Sequence, residues 1–213
     1  MKIITIVGAR PQFVKAAVVS RALSKVSDIE ELIVHTGQHH DANMSDVFFD
    51  EMEIPKPTFN LGIHGLGHGA MTGQMLEGLE AIYRDQKPDR VLVYGDTNST
   101  LAGALAAAKM HIPVAHVEAG LRSFNMKMPE EINRILTDRI SDLLFCPTQT
   151  AIDNLTKEGY PFAENKLILS GDVMQDAAMY YAQTSASKST IIEKLKLRDF
   201  VLCTLHRAEN TDD

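Results

Sequence analysis

Two carboxylic acids stand at the ends of apolar runs: Asp96 in VLVYGDTNST (91–100) and Glu118 in PVAHVEAGLRS (113–123). A carboxylate at a strand's end fills a core badly and meets a ligand well, and paired acids at one rim are what proton transfer requires. Asp96 is also a favoured N-cap for a helix beginning near Ser99 and Thr100, so a purely local role stands beside the chemical one. Glu118 has no helix to cap at once, because AGLRS reads as a turn. In MPEEINR (128–134), Pro129 and two acids open a helix, where negative charge suits the dipole. Glu130 and Glu131 lie four and three residues before Arg134, so an ion pair is expected, and spacing does not choose between them. Cations are on offer from Arg10 and Lys15 in GARPQFVK, where a strand gives way to a helix whose N-terminus favours an anion. Gln38 in HTGQHH and Arg122 in EAGLR also follow predicted strands, and His206 in LHRAEN adds a titratable imidazole.

The elements that would position these groups alternate. Strand-like runs are IITIV (3–7), ELIVHT (31–36), RVLVY (90–94), PVAHV (113–117), DLLFC (142–146) and KLILS (166–170). Helical periodicity fills about 11–25, DANMSDVFFDEM, 69–86, 99–109, 130–140 and TQTAIDNLTKEG, the last capped by Thr148. Such βαβ alternation predicts an α/β fold with a parallel sheet covered by helices on both faces. All strand carboxyl ends then share one edge, where ligands bind at the point of strand-order reversal. GDVMQDAAMYYAQ reads as a connecting helix, TSASKS (184–189) as a polar break, and DFVLCTLHRAENTDD as a strand and loop opening a second α/β domain. The expected division is a first domain over 1–170 and the start of a second over 171–213.

Composition narrows the function classes. With 213 residues and 45% hydrophobic residues the chain can fill a sizeable core. No apolar run approaches the roughly 20 residues that cross a bilayer, so no membrane role is expected. MKIITIV lacks the features of a signal peptide, which favours the cytoplasm. A net charge of -7 without a Lys/Arg cluster argues against nucleic acid. Cys146 and Cys203 lie in apolar runs without CxxC spacing and read as reduced core residues. His35, His39, His40, His64 and His68 form no HxH or HExxH pattern, so no metal site is expected, and the absence of GxGxxG leaves a bound NAD unsupported.

Taken in order and spacing, GARPQFVK, HTGQHH, VLVYGDTNST, HVEAGLRS, MPEEINR and LHRAEN resemble the non-hydrolysing UDP-N-acetylglucosamine 2-epimerases over essentially the whole chain. The resemblance implies a Rossmann-like doubly wound parallel sheet, the first half of a two-domain glycosyltransferase-B-like architecture, and a homodimer without cofactor or metal. It implies Asp96, Glu118 and Glu130 as acid/base carboxylates, preferring Glu130 to its neighbour, and His206 as the histidine that assists UDP. It further implies Arg10, Lys15, Gln38, Arg122 and Arg134 on the side of the UDP-sugar substrate. Asp41 departs from relatives that use UDP-GlcNAc as an activator and carry Gln there, which argues against an allosteric nucleotide-sugar site. GQHHDANM, GLRSFNMKMPEEINR and GDVMQDA also resemble relatives acting on UDP-2,3-diacetamido-2,3-dideoxyglucuronate.

The implied chemistry is specific. Carbon 2 of such a sugar has no adjacent carbonyl, so its hydrogen is scarcely acidic. Elimination of UDP to a 2-acetamidoglucal, followed by proton return on the opposite face and re-addition, solves the problem with acids and cations alone. The rivals are a hydrolysing epimerase, a glycosyltransferase of the same architecture, and a noncatalytic nucleotide-sugar-binding module.

Overall fold

The computed structural model describes residues 1–39, 46–162 and 165–204. In chain order its elements are β1 (Lys2–Val7), α1 (Arg10–Leu23), β2 (Glu30–His35), α2 (Asp46–Glu51), β3 (Phe59–Asn60), α3 (His68–Gln86), β4 (Arg90–Tyr94) and α4 (Asn98–Lys109). These are followed by β5 (Val114–Val117), α5 (Pro129–Ile140), β6 (Leu143–Cys146), α6 (Gln149–Lys157), β7 (Lys166–Leu169), α7 (Val173–Lys188) and α8 (Ile191–Lys194). The strands form one parallel sheet in the order β3-β2-β1-β4-β5-β6-β7. Strand order therefore reverses between β1 and β4, the crevice where a doubly wound sheet receives ligands.

Side chains alternate across the sheet, and this sorts the core. Ile4, Ile6, Val91, Val93 and Val114 point to one face and pack with Met75, Leu79 and Tyr83 of α3 and the alanines of α4. Small residues on α4 permit close approach: a Cβ added to Gly103 would lie 3.0 Å from Ile6, and the Tyr83 hydroxyl donates to the Gly103 carbonyl at 3.2 Å. Truncating fully buried Leu79 to Ala would cost about 2–5 kcal/mol. On the opposite face Phe13 of α1 stacks on His35 and packs against Phe49 of α2. That covering is incomplete: Ile3, Leu92, Ala115, Val117, Leu143 and Phe145 border an apolar groove of about 540 Å³. The expectation of helices over both faces thus holds fully for only one face among the described residues.

Contacts divide the chain into Met1–Ala178 and Met179–Asp213. In the second unit the helix predicted to break at TSASKS instead continues to Lys188. Its serines bond back to the helix, Ser185 to the Ala182 carbonyl and Ser187 to that of Thr184. The strand expected in DFVLC does not form over 201–204; it has no neighbouring strand to pair with among the described residues, and Val201 is 93% exposed. Cys203 is exposed rather than in a core, whereas Cys146 is buried and its thiol is pushed up to about 12 by desolvation. No described helix is long and apolar enough to cross a membrane.

Candidate active site

The carboxyl ends of β1 and β4 are stitched together by a side chain that sequence reasoning passed over. Gln12, 1% exposed, accepts from the Gly8 and Ala9 amides at 2.9 and 3.0 Å, and donates to the Tyr94 carbonyl and Thr100 Oγ1. Gly8 is required by close approach, since an added Cβ would lie 2.0 Å from Thr36 Oγ1 and 2.2 Å from Ser99 Oγ. Those hydroxyls bond one another at 2.8 Å, and Ser99 donates to Gln38 Oε1 at 2.8 Å, which brings Gln38 to the N-terminus of α4. Arg10 opens α1 as an exposed residue whose amide donates to His39 Nδ1 at 3.0 Å.

Asp96 is released from helix capping. Thr97 is the N-cap of α4 and its hydroxyl accepts from the Thr100 amide. The Asp96 carboxylate instead accepts from Arg134 Nη2 at 2.5 Å, and its backbone carbonyl accepts from Asn133 Nδ2 at 2.8 Å. Glu118 follows β5 with φ of +73°, a left-handed conformation that is costly for a residue with a Cβ and concentrates at functional sites. Its Oε2 pairs with Lys15 Nζ. The same two atoms lie over the backbone of Gly95, 3.6 and 3.2 Å from where a Cβ would stand. Lys15, Glu118, Asp96 and Arg134 therefore converge at the switch point.

Electrostatics match that convergence. Burial lowers the Lys15 pKa, Asp96 and Asp172 pull it back up, and Arg134 adds to the lowering. Asp172, absent from the expected set, follows β7 and shares a narrow hollow with Lys15, Glu118 and Pro147. Its position after a strand end was the signal that would have found it.

The paired glutamates separate cleanly. Glu131 is 1% exposed and accepts from the Ser123 amide at 2.9 Å, the Phe124 amide at 2.8 Å and Arg134 Nη1 at 2.9 Å. Burial alone would raise its pKa, yet these donors hold it below the usual carboxylate range. Glu130 is exposed, one helical turn before Arg134. Arg122, expected on the substrate side, is instead committed to a buried network. Its side chain is 1% exposed, donating to Asp138 at 2.7 Å and, through Nε and Nη2, to Glu158 at 2.7 and 2.8 Å. His206, like His40 and Asp41, lies outside the described residues. No cluster of three metal-ligating side chains occurs among the described residues.

The arrangement offers acids able to give and take protons beside two cations that pair with them and can meet an anion. Comparison with known proteins places it. A model of the UDP-N-acetylglucosamine 2-epimerase family matches residues 21–213. The chain is 61% identical to the UDP-2,3-diacetamido-2,3-dideoxy-D-glucuronate 2-epimerase of Pseudomonas aeruginosa, covering all of this chain and 59% of that protein. It is 46% identical to the UDP-N-acetylglucosamine 2-epimerase of Methanocaldococcus jannaschii, covering 58% of it. The crystal structure of the M. jannaschii UDP-GlcNAc 2-epimerase in complex with UDP-GlcNAc and UDP superposes with a TM-score of 0.91, at 47% identity, covering 100% of this chain and 59% of that one. MurG of Acinetobacter baumannii shares the fold alone, at 14% identity and a TM-score of 0.55. The chain spans about three fifths of the length of these epimerases, and it belongs to the UDP-N-acetylglucosamine 2-epimerase family.

Proposed function

We propose that the full-length protein is an isomerase that inverts carbon 2 of a UDP-linked 2-acetamido sugar by reversible loss and return of UDP. The observation that carries this reading is the meeting of Asp96, Glu118, Lys15 and Arg134 at the sheet's switch point. Asp96 and Glu118, joined by Glu130 from the first turn of α5, are the acid/base groups. Lys15 and Arg134 pair with Glu118 and Asp96 and, with Arg10 and Gln38, face the anionic substrate. Arg122 shapes the loop behind Glu118. The family resemblance supports His206 as the partner of departing UDP, a homodimer, a first domain over 1–170, and cytoplasmic work in surface polysaccharide synthesis.

The 61% relative favours UDP-2,3-diacetamido-2,3-dideoxyglucuronate as substrate; the M. jannaschii complex, with UDP-GlcNAc and UDP bound, favours UDP-GlcNAc as the second reading. Full-length protein given each nucleotide sugar alone, with products followed by NMR, tests both. One UDP-sugar should equilibrate with its 2-epimer while free UDP stays substoichiometric. UDP accumulating in step with free sugar would overturn reversibility, and turnover only on adding an acceptor would make the protein a transferase.

A further inference from the structure

Behind Asp96 lies a pair that this mechanism does not use. His116, in the middle of β5, and Asp138, on α5, are both fully buried. His116 Nε2 stands 2.7 Å from the Gly95 carbonyl oxygen, and Nδ1 stands 2.7 Å from Asp138 Oδ1. A carbonyl only accepts, so Nε2 carries a hydrogen. Asp138 Oδ2 already receives the Gly120 amide at 3.1 Å and Arg122 Nη1 at 2.7 Å. Those contacts leave Oδ1 to meet Nδ1.

We propose that His116, clamped between Asp138 and the Gly95 carbonyl, positions Asp96. The Gly95 carbonyl and the Asp96 amide belong to one rigid peptide plane, so the ring sets the direction in which Asp96 leaves β4. Gly95 has φ of +63°, and its own amide donates to the Val117 carbonyl at 3.0 Å, which fixes the preceding peptide plane. The other end of the clamp acts on the second acid: Asp138 holds Gly120 and Arg122 and thereby the turn that begins at Glu118. One hydrogen-bonded pair thus registers the two acid-bearing turns against each other. The other ionisable groups near Asp138 are Cys146 of β6, Tyr160 after α6 and Arg139 of α5. Burial pushes the Cys146 thiol and the Tyr160 hydroxyl up to about 12, so both stay neutral around pH 8.

The full-length protein offers two independent tests. Selective ¹⁵N-histidine labelling reads the ring directly: Nε2 of His116 should carry the hydrogen that meets the Gly95 carbonyl. A bare Nε2 overturns the clamp, whatever the reaction proves to be. The kinetic arm rests on the proposed epimerisation. His116→Gln keeps a donor for Gly95, His116→Asn keeps one only for Asp138, and His116→Phe keeps neither. A misplacement of about 1 Å costs about a hundredfold in rate, so Asn and Phe should lower kcat about a hundredfold with KM little changed, while Gln restores most of it. Folded Phe variant with kcat within about threefold of the parent, or Gln and Asn equally impaired, would overturn the positioning role. Should Phe not fold, the Gln and Asn pair decides.

Discussion

Neighbouring glutamates should give opposite signatures when each loses its charge. In Glu131→Gln the amide oxygen can still accept from the Ser123 and Phe124 amides, but the amide NH₂ then meets Arg134 Nη1, donor against donor. Losing one hydrogen bond to a charged partner costs about 1.5–3 kcal/mol, and weakening two others brings the total to about 3 kcal/mol. The loss must depend on pH. The folded-state pKa of Glu131 lies below the ordinary carboxylate value, so its contribution is present above the unfolded pKa and disappears as pH falls through the folded one. Urea unfolding of the full-length variant at pH 7.5 should show the deficit, and repeating it toward acid should close the gap to the parent. Glu130→Gln, at an exposed position, should shift stability by under about 0.5 kcal/mol while removing most turnover. A Glu131→Gln deficit below about 1 kcal/mol, or one that does not shrink in acid, would refute the structural role.

Other perturbations follow from single contacts. Gly8→Ala drives a methyl into the buried Thr36–Ser99 hydroxyl pair and should cost about 3 kcal/mol from overpacking and a broken bond; calorimetry checks it, and a stable variant would deny the close approach. Glu31 has its pKa raised by desolvation, against the Thr5 hydroxyl, which works to lower it. Its ionised form therefore penalises the fold at high pH, and the penalty fades as pH falls through the raised pKa. Glu31→Gln should accordingly raise Tm at pH 8 and converge on the parent in acid, whereas a lower Tm at pH 8 would contradict the sign.

Much of this was legible because a parallel sheet exposes its chemistry at predictable places. The six longer strands stood out as apolar runs, and reading their carboxyl ends singled out Asp96, Glu118, Arg10 and Gln38, with Lys15 one turn into the first helix and Arg134 in the helix opened by MPEEINR. β3 was missed because its two residues carry no periodicity and are defined by pairing with β2. α7 runs past TSASKS because serine hydroxyls can bond to the preceding helical turn, a competition that composition does not resolve. Gln12, His116 and Asp138 stayed hidden for another reason. A polar residue within an apolar run has meaning only once its tertiary partners are known, and theirs lie 82, 21 and 22 residues away. Arg122's partner Glu158 stayed hidden by the same logic, 36 residues away.

The account stands or falls on whether Asp96 handles the hydrogen at carbon 2. Full-length protein incubated in D₂O with the UDP-sugar it epimerises should exchange that hydrogen for deuterium, read by mass spectrometry. Asp96→Asn, folded as judged by circular dichroism, should exchange at least about a hundredfold more slowly. Exchange near the parent rate in the folded variant would contradict the assignment of this rim as the catalytic centre.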